Sequence, residues 1–276
     1  MKLRTLLAMT LAMMFCFWQP AAHAQPALGK GVTLQTRDKT ANALLNRALN
    51  PAFWDNADKS SYGNKQLYDE IWLAWVDDGY MALITGEGKQ NFVHEVVADI
   101  IIQKQNQIAR YVDGAEVVKI LGYGVDPQNG LDYVDAFYYL DFGLFYSTYS
   151  QRMYRVKAPD GRTILFFEQI DEAFTGAETW ATYQPKIDQA IASVDRRSIG
   201  GSIVPVEEIF GMFIVSPGNE FDTRVTFIAK IGFSKDNWVA SLGSRLRLVM
   251  RTGLDAGFNA SVSIAQKEQE RRAANE

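Results

Sequence analysis

The chain has 276 residues, a formal net charge of −4 and 47% apolar residues. That is enough apolar material for one large buried core, and there is no basic block to neutralise a phosphate backbone, so nucleic acid is not expected as a partner. A single cysteine excludes an internal disulfide framework, and two histidines leave no His-rich zinc site.

The first element reads as a secretory signal. Lys2 and Arg4 supply positive charge, residues 6–18 an apolar run, and Ala22-His23-Ala24 small residues at both cleavage positions. The run is too short for a membrane span. Met14 and Phe15 before Cys16 do not fit a lipoprotein signal. Cleavage after Ala24 removes Cys16 and His23, which suits a periplasmic or secreted protein. His94 would be the remaining histidine. Without a Gly-x-Ser-x-Gly elbow to accompany it, His94 is read as a structural or surface residue.

Residues 25–90 are expected to form a mainly helical extension, with the main domain over 91–276. Leu44, Leu45, Ala48 and Leu49 share one helical face, and Asn50-Pro51 ends it. Leu67, Ile71, Ala74 and Trp75 predict a second helix over 67–76, closed by Asp77-Asp78-Gly79. Gly86-Glu87-Gly88 is a further break. Beyond it, Val96, Ala98, Ile100 and Ile102 recur with period two and predict a strand, followed by a short helix over 105–112.

Strands are expected over 115–123, 132–142, 146–157 and 162–170, with turns at 126–130 and at Pro159-Asp160-Gly161. Ile164-Leu165-Phe166-Phe167 is apolar on both faces, as in a central strand covered on each side. Residues 173–194 read as a loop with one short helix from Pro185 to Val194. A Gly-rich linker follows over 198–202. Strands are then expected over 204–215 and 224–232, the latter with Val225, Phe227, Ala229 and Ile231 on one face. Ser234 or Asp236 would cap a long final helix over about 237–271. On it Trp238, Leu242, Leu246, Val249 and Gly253 recur at three- or four-residue spacing.

This order of elements resembles the START-like (SRPBCC) superfamily over about residues 92–271. The resemblance is carried by residues 95–113, by 132–157, by Pro159-Asp160-Gly161, and by 213–233 leading into Trp238. It implies an α+β helix-grip fold, in which a curved antiparallel β-sheet wraps a long C-terminal helix and leaves a hydrophobic cavity between them. It further implies binding or carriage of a lipid or other hydrophobic small molecule, with transient membrane contact, and neither a cofactor nor a metal.

On that fold the sheet would offer Tyr138, Leu140, Phe167, Phe213, Phe227 and Ile231 to the cavity, and the helix Trp238, Leu242, Leu246 and Val249. Each of these also reads as filled core. Arg155 and Glu168 lie among apolar strand residues. Each either faces water or turns inward toward a polar head group. No catalytic residue is assigned.

Three competing readings stand beside the carrier. A cavity-based cyclase- or hydrolase-like enzyme of the same superfamily would need a poised acid or base, and no local constellation supplies one. An outer-membrane barrel or envelope structural protein fits the aromatic strands but not the helical C-terminal stretch. An interaction module would use Phe53, Trp54, Trp72 and Trp75, which also fit simple packing on the main domain.

Overall fold

The computed structural model of the protein describes residues 39–60, 70–76, 79–86, 94–103, 105, 115–194, 202–217, 223–242, 246–248, 251, 263–264 and 267–274. The expected signal segment, the helix after Gln105, residues 198–201 of the Gly-rich linker, Val249 and Gly253 lie outside these residues.

Helix α1 (Lys39–Ala48) leads through a 3-10 turn (Pro51–Trp54) to strands β1 (Asp58–Ser60), β2 (Glu70–Val76) and β3 (Gly79–Gly86). Helix α2 (His94–Gln103) precedes β4 (Ala115–Val125), β5 (Asp132–Asp141), β6 (Tyr146–Lys157) and β7 (Thr163–Gln169). Two helices follow, α3 (Glu172–Thr175) and α4 (Ala177–Ala192), then β8 (Ile203–Pro205), β9 (Glu208–Pro217), β10 (Thr223–Gly232) and a 3-10 turn (Trp238–Leu242). The strands form one sheet in the order β1-β2-β3-β10-β9-β7-β6-β5-β4, antiparallel throughout, with β8 added parallel to the start of β6.

Because side chains alternate across a strand, this sheet has two buried faces with different covers. On the inner face Leu73, Ala82, Val134, Met153, Leu165, Phe167, Phe213, Phe227 and Ala229 meet Val97, Ala98, Ile101 and Ile102 of α2. Val239, Leu246 and Ile264 of the C-terminal segment join the same cluster. On the outer face Met81, Phe166, Phe210, Met212, Ile214 and Ile228 receive Leu44, Leu45 and Ala48 of α1 together with Trp54. The Trp54 indole donates to the Ala48 carbonyl at 2.7 Å, which locks the 3-10 turn under α1. Further along, Leu121, Phe137, Tyr139 and Tyr146 receive Tyr183, Ile187 and Ala190 of α4.

The structure corrects several expectations. The extension expected to be mainly helical carries α1 and three strands, and residues 70–76 of the predicted helix over 67–76 are strand β2. Its Ile71 and Leu73 point to the inner cluster and Trp72 and Ala74 to the outer one. A strand buried on both faces shows no apolar–polar alternation, so its spacing imitates a helix. The opposite error falls on 96–102, which is helix α2. Its buried residues Val97, Ala98, Ile101 and Ile102 follow the i, i+1, i+4, i+5 pattern of one helical face.

Pro185 lies inside the 16-residue α4 rather than at its start. A mid-helix proline costs one backbone hydrogen bond, and burial of Tyr183, Ile187 and Ala190 along one face offsets that loss. The single strand expected over 204–215 is divided into β8 and β9. The Gln169 amide bridges the jog, donating to the Val206 carbonyl at 2.9 Å and accepting from Ile209 N at 3.1 Å. In the closing segment, Trp238–Leu242 is 3-10 rather than α, entered through Asn237, whose side chain accepts from Val239 N at 3.2 Å. Residues 246–248, 251, 263–264 and 267–273 are helical.

Candidate ligand-binding face

The inner face is built row by row from strand register. Leu165 of β7 pairs with Phe213 of β9, and Phe213 with Phe227 of β10. The rings of Phe167, Phe213 and Phe227 form one aromatic wall, with centroids 4.5 Å apart for Phe213–Phe227 and 6.1 Å for Phe167–Phe227. Gly211 makes room for it. A Cβ there would collide with the Ile228 carbonyl and sit 2.6 Å from the Phe167 ring, so glycine lets that ring lie flat across β9.

At the β5–β6 end the same face turns polar. Tyr138 pairs with Tyr149 in register, and their rings stack at 4.8 Å with planes 10° apart. The Tyr138 hydroxyl donates to Gln105 Oε1 and accepts from Gln151 Nε2 at 3.0 Å. Gln105 is fully buried and its Nε2 donates to the Met153 sulfur at 3.0 Å. Val118, Ile120, Ala136 and Leu140 surround this cluster. Burial pushes both phenols up. Tyr138 is raised further by the field of Tyr149, and the Gln151 hydrogen bond offsets part of that rise. Both are therefore neutral near pH 7, able to donate a hydrogen bond and poorly suited to abstract a proton.

The predicted residues separate by strand parity. Tyr138, Phe167, Phe213, Phe227 and Ile231 are buried on the inner face, and Leu140 is half-buried beside Tyr138. Leu246 joins the inner cluster and Leu242 packs against it. Trp238 is 45% exposed and meets Phe145 edge-on at 5.8 Å. Arg155 shares the inner parity of Met153 and forms an ion pair with Asp99 of α2. Its buried Nε has no hydrogen-bond partner among the described residues.

Glu168 lies on the opposite side. It pairs in register with Arg152 and Phe210, both outer residues, and is buried there. It lines a separate outer pocket of about 410 Å³ with Asp171, Phe174, Glu207, Glu208 and Phe210. The run Ile164–Phe167 is apolar on both faces, so the sequence offers no parity signal to decide its direction.

Sequence reasoning missed two groups. Tyr149 and Gln151 have the same parity on β6 as Arg155, so an inward Arg155 would have placed them on the same face. The second group is a buried ionic network on the outer face. The Arg152 guanidinium is bidentate to Asp135 at 2.7 and 2.8 Å, reaches Asp126 at 3.2 Å and lies 3.5 Å over the Tyr133 ring. The Tyr154 hydroxyl donates to Asp126 and the Tyr183 hydroxyl to Asp135, both at 2.8 Å. Burial alone would lower the Arg152 pKa, but the hydrogen bond and charge of Asp135 raise it. The available signal was charge at strand-interior positions: Asp135 stands between Val134 and Ala136, and Arg152 precedes Met153.

No protein-family profile matches the chain, and no curated protein matches it in sequence. Solved structures do. Human STARD10 superposes with a TM-score of 0.54 over 90% of this chain and 89% of its own, at 8% identity. A STAR-related lipid transfer protein from Xanthomonas axonopodis aligns over 75% of this chain and 99% of the solved fragment, at 10% identity and a TM-score of 0.49. The Zhui aromatase/cyclase from Streptomyces sp. R1128 aligns over 70% of this chain and 96% of its own, at 13% identity and a TM-score of 0.44.

Proposed function

The chain has the START-like helix-grip fold, and we propose that it binds and carries a hydrophobic small molecule of the lipid class. The ligand would lie between the inner sheet face and the layer made by α2 and the C-terminal segment. One observation carries this reading: a broad aromatic wall of Phe167, Phe213 and Phe227 shares one face with a small, neutral cluster of hydrogen-bonding groups around Tyr138. Apolar lining with a few convergent polar groups is the composition of small-molecule sites. The raised phenols argue against Tyr138 and Tyr149 as general bases.

Two further parts of the proposal rest on separate residues. Export through the envelope is supported by Lys2, Arg4, the apolar run 6–18 and Ala22–Ala24. Transient membrane contact is supported by Leu144, which precedes Phe145 in the chain, and Trp238, which meets its ring, standing 41% and 45% exposed.

The test is a titration of the purified mature chain with a pyrene-labelled lipid, followed by competition with an organic extract of the source cells. Saturation at one probe per chain, reversed by the extract, is expected. Absence of saturable uptake would overturn the carrier reading. The export proposal is checked by the mass of protein recovered from the envelope fraction, which should correspond to a chain beginning at Gln25.

A further inference from the structure

The β4–β5 turn carries the chain's single Asn-Gly step, Asn129-Gly130. Glycine has no Cβ to shield its amide nitrogen, so that nitrogen can reach the side-chain amide before it. Attack on Asn129 Cγ closes a five-membered succinimide. The bond from Gly130 N to Cγ forms, the Cγ–Nδ2 bond breaks, and ammonia leaves with the proton given up by Gly130 N. Water then opens the ring at either carbonyl and leaves aspartate or isoaspartate at position 129. Water is the sole co-reactant, and no electron is transferred. Asn129 is half-buried and Gly130 exposed, so water reaches the step.

In the folded turn both reacting groups are already committed to hydrogen bonds. Gly130 N donates to the Asp126 carbonyl at 2.7 Å, and this bond has to break before the nitrogen can lose its proton. Asn129 Oδ1 accepts from Leu131 N at 3.0 Å, which fixes the side-chain amide. Asp126 anchors the whole turn. Its N donates to the Leu131 carbonyl at 2.9 Å, and its Oδ1 accepts from Gln128 N at 2.8 Å. Its Oδ2 accepts from Arg152 at 3.2 Å and from the Tyr154 hydroxyl at 2.8 Å. Asp126 is fully buried, so water does not compete for these contacts.

We infer that Asn129 is a deamidation site kept latent by the buried Arg152–Asp126–Tyr154 network, and that loosening this network opens the turn to an irreversible covalent change. Isoaspartate would add a methylene to the main chain. It would also add a carboxylate to a segment that already holds Asp126 and Asp132, so the turn would not close again in its original form. This inference concerns the outer face and is independent of the carrier reading.

The experiment incubates the full chain at mildly alkaline pH, folded and, as a reference, unfolded in guanidinium chloride. The tryptic peptide that follows Lys119 and ends at Arg152 contains no other asparagine. Its amide-to-acid mass change is followed over time, and fragment ions assign that change to position 129. The folded chain should react about tenfold or more slowly than the unfolded one. Tyr154→Phe, which removes one contact to Asp126, should react about three- to tenfold faster than the folded wild type. Tyr183→Phe removes a contact to Asp135 instead and should stay within about twofold of the wild type. Hydrogen exchange at Gly130 N carries the test should Tyr154→Phe fail to melt cooperatively, and slow exchange in the wild type is expected.

A folded wild type that reacts as fast as the unfolded chain, or whose Gly130 N exchanges rapidly, would overturn the inference. So would a Tyr154→Phe rate equal to that of the wild type, or equal acceleration in both variants, which would assign the protection to global stability instead of the Asp126 anchor.

Discussion

Arg152 is the residue on which the outer layer is centred. Its guanidinium neutralises two fully buried carboxylates, Asp126 and Asp135, drawn from the β4–β5 turn and from β5. Replacing Arg152 by Met fills similar volume but leaves both acids buried without a cation. A loss of about 3–5 kcal/mol is expected in urea unfolding at neutral pH. A loss below about 1 kcal/mol would show that water reaches the acids and that the network is not buried. The tyrosines around it and on the inner face add a pH dependence. Burial raises Tyr149; burial and Asp135 raise Tyr183. The unfolded chain ionises its phenols at about pH 10 and the folded chain only above that. Their contribution to stability is thus complete below about pH 10 and is lost as pH rises toward the folded values. Tyr183→Phe should make the alkaline decline shallower; a wild-type stability that is level through pH 12 would contradict the assignment. At this scale the sequence was readable in part. Arg155 and Glu168 both stand out as charges among apolar strand residues, and strand parity sends them to opposite faces.

Elements were legible wherever their apolar pattern had one period. Strand β10 shows it: Val225, Phe227, Ala229 and Ile231 face one layer, and the strand is found over Thr223–Gly232. Strand β2 and helix α2 reverse the sequence expectation, because each is apolar on positions that satisfy both periods. What settled them was tertiary: β2 is hydrogen-bonded along its length to β3, and α2 presents Val97, Ala98, Ile101 and Ile102 to β6, β7 and β9. Glycine within β9 provides a test at the element scale. Replacing a strand glycine with alanine ordinarily stabilises by about 0.5–1 kcal/mol. At Gly211 the added Cβ would meet the Ile228 carbonyl and the Phe167 ring. Gly211→Ala should instead destabilise by about 2–3 kcal/mol in thermal or chemical melts and loosen the aromatic wall. A neutral or stabilising outcome would show that Phe167 does not lie across β9.

At the scale of the molecule, the sheet is larger than residues 92–271 alone would build. Strands β1, β2 and β3 from the region before residue 90 extend it past β10, and α1 with Trp54 covers the outer face there. The segment that resembled a separate helical extension therefore supplies both a sheet edge and a second layer. Trp54 and Trp72 belong to that packing, as one of the sequence alternatives had it, while Trp75 stands 56% exposed. The general architecture was visible in the sequence because hairpins such as Pro159-Asp160-Gly161 and alternating strands are local signals. Which strands neighbour each other across long connections is not local, and neither is the pairing of Arg152 with Asp126, 26 residues earlier. The central claim concerns what the inner face holds, and native mass spectrometry of the protein purified without detergent tests it most directly. The account predicts a population carrying one discrete apolar adduct that is released on acid denaturation. A spectrum of bare polypeptide alone, from protein that also takes up no added lipid, would contradict it.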